Sequence, residues 1–418
     1  MSRYYLIGER LSHSFSPAIH RAFGRYEYEL KELPPKSLGA FLRSGDFSGL
    51  NVTIPYKQAV IPFLDALDDA AAQTGAVNTV VRRDGKLIGS NTDLAGLRAM
   101  LVSAGIALRG RKVLILGTGG TSRTALAAAA AEGAAEVLRV SRSGREGALT
   151  YAEALACHRD AEILINTTPC GMAPDPDACP IDPDVFPRLA GVADVIYNPL
   201  RSRLVLSAQA RGIPAVGGLR MLVTQAARSC ELFTQTPLPS GMVEAVCRSL
   251  RDQTENLVLI GMPGSGKTTV ARLLAQKTGR HFVDTDEALV QNTGKTIPEL
   301  FAERGEAGFR ALESALLREL SRESGRILAT GGGAILDPEN RRSLRHNGRL
   351  FFLNRPLSLL AARADHPLSD TTEKLQALYL ARAPLYVACA DAVVPAFGTP
   401  EAAAEEILAI LKKEVLTG

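Results

Sequence analysis

The chain has 418 residues, more than one ordinary core holds, so two or three domains are expected. Charged residues make up 22% and hydrophobic ones 46%, a balance that excludes an extended disordered chain. The net charge of +4 is spread thinly, with no dense Lys/Arg block, so no nucleic acid and no anionic membrane is expected as partner.

From the N-terminus, MSRYYLIGERLSHS holds no apolar stretch fit for a signal peptide, and the Ala-rich run at 125–135 is weakly hydrophobic and contains Glu132. No segment is therefore expected to span a membrane, and a cytoplasmic location is expected. A first strand is read at Tyr4–Ile7. SHSFSPAIH then offers Ser14 and Ser16, two hydroxyls just before a helix that suit a shared carboxylate; a simple helix cap is the alternative. The strand Leu50–Thr53 runs into NVTIPYK, which presents Asn51, Thr53 and Lys57, with Pro55 breaking the ladder. GAVNTV gives Asn78, and SNTDLAG gives Asn91 and Asp93 at a helix start, where Asp93 as an N-cap is the common alternative.

The strand Lys112–Leu116 leads into a glycine-rich turn that opens a helix, with Gly117, Gly119, Gly120, Thr121 and Ser122. Bare glycine backbone lets a pyrophosphate approach, and the helix N-terminus supplies N–H groups and a positive dipole end. Ser122 stands where the usual fingerprint has its third glycine. The next strand, Glu136–Val140, ends in Ser141-Arg142-Ser143-Gly144-Arg145. The acidic residue that would bind a ribose 2′-hydroxyl is missing there; Arg142 and Arg145 suit a 2′-phosphate, which selects NADP(H) over NAD. Strands at Glu162–Asn166 and Ala193–Tyr197 follow, then a helical stretch GLRMLVTQAA with Gln225. Residues 235–256 begin with Pro, Thr and Ser, pass through a short helix and end polar, which puts a domain junction at 249–256.

After the strand Leu257–Ile260 comes G-x-x-x-x-G-K-T, formed by Gly261, Gly264, Ser265, Gly266, Lys267, Thr268 and Thr269. Consecutive backbone N–H groups of such a loop cradle phosphate, the lysine reaches the outer phosphates, and the threonine hydroxyl suits Mg2+. ATP with Mg2+ is the ligand expected. HFVDTD presents Asp284 and Asp286, read as lying on one side of an extended segment, one for the metal and one for an acceptor hydroxyl. A helix opened by the capping box Thr296-x-x-Glu299 carries Arg310. The strand Arg326–Ala329 ends in Gly331-Gly332-Gly333, where bare backbone suits a small ligand; a further strand is read at Arg349–Leu353, and ARAPLY carries Arg382. The six cysteines form no CxxC pair and no zinc pattern, so reduced thiols are expected.

Short apolar runs thus alternate with helix-length segments, the signature of α/β folds with parallel sheets. Residues 1–248 resemble shikimate dehydrogenase in the Ser-x-Ser pair, NVTIPYK, GAVNT, NTD-x-x-G, the glycine loop, VIYNP and GLRMLVTQAA. The resemblance implies a substrate domain over 1–95 plus 219–248 and a Rossmann-type NADP domain over 96–218. It implies Lys57 and Asp93 as catalytic pair, with substrate on Ser14, Ser16, Asn51, Thr53, Asn78, Tyr197 and Gln225. Behind a linker at 249–255, residues 256–418 resemble shikimate kinase, a P-loop α/β domain with a parallel sheet. That likeness implies Asp284 on Mg2+ beside Thr268, and Asp286, Arg310, Gly332, Gly333 and Arg382 on shikimate. It also implies a lid with Arg363 on adenine; the lid departs from the family in carrying His366 where an arginine precedes Pro-Leu. The implied reactions are NADPH-dependent reduction of 3-dehydroshikimate and ATP-dependent phosphorylation of the shikimate formed. Two alternatives stand beside them: the same folds acting on quinate or another polyol, and one half as a nucleotide-binding pseudoenzyme.

Overall fold

The computed structural model describes residues 3–11, 14–145, 147–361 and 371–417, with side chains described as far as Lys412. It divides into two compact units, Met1–Ser249 and Leu250–Gly418. Of the stretch read as a linker, residues 249–254 belong to the helix Met242–Thr254, and Leu250 is buried.

The first unit holds two six-stranded sheets. The N-terminal one comprises β1 (Tyr4–Gly8), β2 (Tyr28–Glu32), β3 (Gly49–Val52), β4 (Ala66–Leu67), β5 (Thr79–Arg83) and β6 (Lys86–Ser90), in the order β2-β1-β3-β5-β6-β4. It is mixed, against the expectation of parallel pairing: β3–β5 and β5–β6 are antiparallel. The β5–β6 pair follows from a two-residue turn, Asp84-Gly85, in which both residues take positive φ (49° and 76°). That turn reverses the chain at once, so a crossover helix has no room. Ile7, Leu50, Val52 and Val80 from the central strands pack with Leu42, Val60 and Val77 in its core.

The second sheet comprises β7 (Lys112–Leu116), β8 (Glu136–Ser141), β9 (Leu149–Thr150), β10 (Ile163–Asn166), β11 (Gly191–Asp194) and β12 (Ala215–Val216). All its pairs are parallel, in the order β12-β11-β10-β7-β8-β9. The strand order reverses between β7 and β10, and ligands of such doubly wound sheets sit at the carboxyl ends of the strands flanking that point. Tyr197, expected to end a strand, lies in the turn beyond β11, because the Asp194 carboxylate takes the Ile196 N–H at 3.1 Å. The helix Leu219–Thr234 returns to pack on the helix Asp93–Ser103. Their approach is close enough that a Cβ on Gly96 would stand 2.6 Å from the Met221 carbonyl oxygen.

The second unit has one parallel sheet of β13 (Asn256–Ile260), β14 (Phe282–Asp284), β15 (Ile327–Ala329), β16 (Gly348–Asn354) and β17 (Ala392–Pro395). Its order is β14-β15-β13-β16-β17. The central β13 is buried on both faces, which is why its residues from Leu257 to Ile260 read as an unbroken apolar run. Val258 and Ile260 face Leu289, Leu317, Phe352 and Tyr386, whereas Leu257 and Leu259 face Val270, Leu274, Phe351 and Ile407. Among the described residues, no helix is long and apolar enough to cross a membrane.

Candidate active sites

In the first unit the β3 ladder stops before Pro55, and the Tyr56 N–H bonds back to the Thr53 carbonyl at 2.8 Å. This opens the one-turn helix Tyr56–Ala59, anchored by the buried Tyr56, whose hydroxyl donates to the Leu33 carbonyl. The turn aims Lys57 at Asp93: Nζ lies 2.5 Å from Oδ2, with the two side chains 15% and 8% exposed. Asp93 is the first residue of its helix, behind Thr92 as N-cap, so it does not itself cap. Its position in the first turn places the anion at the positive dipole end.

Asn78 fixes the other carboxylate oxygen, donating to Asp93 Oδ1 at 2.9 Å, while its Oδ1 accepts the Thr92 N–H at 2.8 Å. Gln225 joins through Oε1, 3.3 Å from Asn78 Nδ2. Ser14 Oγ accepts the Ser16 N–H at 3.2 Å, and the intervening Phe15 packs its ring 5.3 Å from that of Tyr197. Burial of Tyr197 pushes its phenol up. Thr53 stands half-buried at the end of β3. Lys57, Asp93, Asn78 and Gln225 thus meet, and Tyr197 meets the Ser14–Ser16 segment.

Two expected contact residues are turned inward. Asn51 is buried and gives its amide to Ser229 Oγ (2.8 Å) and Thr79 Oγ1 (3.1 Å), while its carbonyl accepts from the Tyr28 hydroxyl (2.7 Å). These bonds tie Asn51 to β5 and to the helix Leu219–Thr234, so it braces the floor of the site. Ser122 is fully buried and donates to the Gly117 carbonyl at 2.7 Å, so it closes the glycine loop and does not face a ligand.

The loop itself fits a dinucleotide. Gly119 caps the helix Gly120–Ala131, and Thr121 is half-buried in its first turn. A Cβ on Gly120 would stand 3.2 Å from Lys57 Cδ, so the phosphate loop lies directly on the lysine. Beyond β8, Ser141 Oγ accepts the Gly144 N–H at 3.1 Å and folds the tip, leaving Arg142 and Arg145 exposed. The Thr167-Thr168 turn after β10 is a further element of the site without a counterpart among the expected residues; a polar Asn-Thr-Thr ending a strand beside the switch point is a usable signal for it.

In the second unit Lys267 opens the helix Lys267–Thr278 behind Gly266, whose φ is 93°. Its Nζ donates to the Gly261 and Met262 carbonyls at 3.0 and 2.9 Å. Burial pushes the ammonium down to about 8, against the pull of Asp286 and Asp284 in the other direction. Ser265 is buried under the loop, Gly264 and Thr269 are exposed, and Thr268 Oγ1 donates to Asp284 Oδ2 at 2.6 Å. A hydroxyl and a carboxylate so placed are the hard oxygen donors that Mg2+ takes alongside phosphate and water.

Asp286 corrects the sequence reading. Asp284 ends β14 and is the N-cap of the helix Thr285–Thr293, its Oδ1 accepting the Asp286 and Glu287 N–H groups at 3.0 and 3.3 Å. Asp286 is therefore in a first helical turn and not on an extended segment; capping overrides strand periodicity. The glycine run is also more filled than expected. A Cβ on Gly331 would stand 2.7 Å from Glu313 Oε1 and 2.9 Å from Asp286 Oδ1, and one on Gly332 2.8 Å from Pro263. One on Gly333 would clash with the Arg310 guanidinium.

Arg310 is held by Glu313, NH1 to Oε2 at 2.7 Å; within Ile297–Arg322 the backbone breaks at Gly305 (φ 66°), so the pair stands on the helical segment after that kink and not on the turn that the Thr296–Glu299 capping box opens. Glu313 is fully buried, which pushes its carboxyl up against the opposing effect of Arg310. Arg382 is buried too; burial lowers it first, with the positive Arg310 nearby adding to the effect and Tyr386 opposing it. The Tyr386 hydroxyl donates to the Gly332 carbonyl. Arg310, Arg382, Asp286 and the glycine run thus converge on one small polar site beside the P-loop. Arg363 and His366 lie outside the described residues.

A dinucleotide-dependent oxidoreductase and a P-loop phosphotransferase are therefore joined in one chain. Family comparison is specific for both: the shikimate dehydrogenase substrate binding domain matches residues 6–80, and shikimate kinase matches residues 263–412. The shikimate dehydrogenase (NADP(+)) of Clostridium beijerinckii is 34% identical over 263 residues, covering 59% of this chain and 97% of that protein. That of Geobacillus kaustophilus is 37% identical over 271 residues, covering 59% and 98%. The crystal structure of shikimate 5-dehydrogenase from Thermus thermophilus in complex with NADP(H) and shikimate is similar at 32% identity. It covers 60% of this chain and 99% of that one, with a TM-score of 0.54. The chain belongs to the shikimate dehydrogenase family and carries a shikimate kinase domain in its C-terminal part.

Proposed function

We propose that this chain catalyses two consecutive steps, NADPH-dependent reduction of 3-dehydroshikimate to shikimate and ATP/Mg2+-dependent phosphorylation of the shikimate 3-hydroxyl. The observation that carries the reading is the Lys57–Asp93 pair, 2.5 Å apart and lying against the glycine loop. In this reading residues 1–95 with 219–248 hold the substrate, 96–218 hold NADP(H), and 256–418 form the kinase. The substrates are small molecules, and a cytoplasmic location goes with them.

NADPH supplies the hydride and ATP with Mg2+ the phosphoryl group; the chain supplies positions, charges and protons. Reduction of a ketone develops negative charge on its oxygen, and the Lys57 ammonium is the proton donor that meets it. Asp93 holds that ammonium in place and is itself held by Asn78. Ser14, Ser16, Thr53, Gln225 and Tyr197 orient the acid around it. In the kinase, Lys267 neutralises the outer phosphates, Thr268 and Asp284 hold Mg2+, and Asp286 accepts a hydrogen bond from the attacking hydroxyl. Arg310 and Arg382 bind the carboxylate, which an arginine fork recognises better than a point charge does.

A single assay containing 3-dehydroshikimate, NADPH, ATP and Mg2+ tests the whole: shikimate 3-phosphate must accumulate, and its absence rejects the reading. Two narrower outcomes are expected. Arg142→Asp removes most of the preference for NADPH over NADH, because an anion then faces the 2′-phosphate; kcat/KM for the two cofactors measures it. A wild type indifferent to the two would reject that role. Fragments ending near Leu250 and starting near Asp252 each fold and keep their own activity, since each unit has its own sheet and core. An insoluble or inactive fragment would show that the division is drawn in the wrong place.

A further inference from the structure

The dehydrogenase unit contains a buried carboxylate to which the roles above give no part. Asp194 closes β11 and is fully buried. Its Oδ1 accepts from Asn166 Nδ2 at 3.0 Å and from the Ile196 N–H at 3.1 Å, and its Oδ2 accepts from the Ser202 hydroxyl at 2.6 Å.

Each partner governs a different turn. Asn166 closes β10, and its Oδ1 accepts both the N–H (3.0 Å) and the hydroxyl (2.7 Å) of Thr168, which shapes the Thr167-Thr168 turn. That turn is pressed on the dinucleotide loop: a Cβ on Gly117, whose φ is 115°, would stand 2.7 Å from Thr167 Oγ1. Ile196 directly precedes Tyr197, whose ring packs on Phe15 between the two serines. Ser202 is the N-cap of the helix Arg203–Ala210 and accepts the Val205 N–H at 3.4 Å.

We propose that Asp194 is a positioning residue for the dehydrogenase reaction, one carboxylate that sets the cofactor-facing Thr167-Thr168 turn and the substrate-facing Tyr197 turn together. The inference rests on the dehydrogenase reading of this unit. A neutral side chain would suit the fold better than an anion there. Burial pushes the carboxyl up to about 6, against the hydrogen bonds from Ser202, Ile196 and Asn166. A folded-state value above the unfolded one means that the native state binds the extra proton, so stability falls as pH rises from about 4 to about 6. Above that window the buried anion is a standing cost, offset by the ordering of two turns. The titratable and charged groups around it include Cys170, on which Asp175, Asp194 and Arg142 act, the Tyr197 phenol, pushed up by burial, and Arg203, which donates to the Asp177 carbonyl.

Asp194→Asn and Asp194→Ala in the full chain test the proposal through melting temperature at pH 8 and pH 5 and through KM and kcat of the dehydrogenase. For Asp194→Asn the expected result is a melting temperature at pH 8 equal to or above wild type, the gain shrinking at pH 5. KM rises about fivefold or more for both NADPH and 3-dehydroshikimate, because the amide cannot accept all three bonds. Kinase activity stays unchanged. Asp194→Ala raises both KM values further. A melting temperature that drops at pH 8 in Asp194→Asn marks a purely structural residue and overturns the proposal. Unchanged KM values, or a rise in only one, overturn it as well. A wild type without dehydrogenase activity overturns the underlying reading instead, whereas an active wild type beside an unaltered Asp194→Asn overturns only the positioning role.

Discussion

Lys57→Ala lowers the dehydrogenase kcat by about 10²-fold or more, the size expected when a general acid is removed. The geometry gives the lysine no substitute. Its Nζ is 2.5 Å from Asp93 Oδ2, and Asp93 is fixed in turn by Asn78 at 2.9 Å, so the chain itself holds the pair in place. Removing the ammonium leaves a mostly buried carboxylate without its cation, and an unpaired anion beside the reacting carbonyl opposes the charge that develops on oxygen. Lys57→Ala therefore has two faults, and Lys57→Met in an Asp93→Asn background separates them: it lacks the proton donor but leaves no bare charge. Steady-state kcat and KM for 3-dehydroshikimate measure both variants, with kinase activity as the control for folding. A kcat close to wild type with a raised KM would make Lys57 a binding residue and remove it from the chemistry.

Much of the fold was legible because its signals are local. β7 and β13 are short apolar runs that end in glycine turns opening helices, and both are found where those runs stand. β5 and β6 went unread although Asp84-Gly85 between two apolar stretches is a hairpin signal; the β2 sequence, YELKE, is too polar to announce a strand, and it lies at a sheet edge. At the sites, residue type was readable and direction was not. Asn51 sits in the motif beside Lys57, yet its amide goes to Ser229, 178 positions away, and no local pattern encodes such a partner. Ser122 likewise looks like a ligand contact until its hydroxyl is seen on Gly117. Glu313 follows Arg310 by three residues, a spacing common to exposed helix pairs, yet it is fully buried with its carboxylate against Gly331, a placement set by tertiary packing. Asp286 failed differently, because Asp284 can end a strand or cap a helix and the sequence supports both.

Lys267→Met lowers the kinase rate by about 10²-fold or more, and does so without destabilising the chain. The loss follows from phosphoryl transfer, which leaves the protein little to do beyond placing groups and meeting charge; a single well-placed donor is worth about 10²- to 10³-fold. The stability side follows from where Lys267 rests. Its buried Nζ donates to the Gly261 and Met262 carbonyls, and burial depresses the ammonium to about 8. The unfolded chain keeps its lysine protonated to about 10.4, so between these values the unfolded state holds more protons and stability rises with pH. Below pH 8 the native chain carries the whole cost of a buried cation. Methionine fills a similar volume without charge, so at pH 7 its melting temperature equals or exceeds that of wild type, and the difference narrows above pH 8 as wild-type Lys267 sheds its proton. ATP then raises the melting temperature of Lys267→Met less than that of wild type, because the phosphates lose the cation that would move to them from the loop carbonyls. Single-turnover phosphorylation of shikimate, with melting curves at pH 7 and pH 9 with and without ATP, measures all of this. A rate within tenfold of wild type would show that the lysine does not meet the transferred phosphate, and a melting temperature that drops at pH 7 would show that its bonds to Gly261 and Met262 hold the loop together.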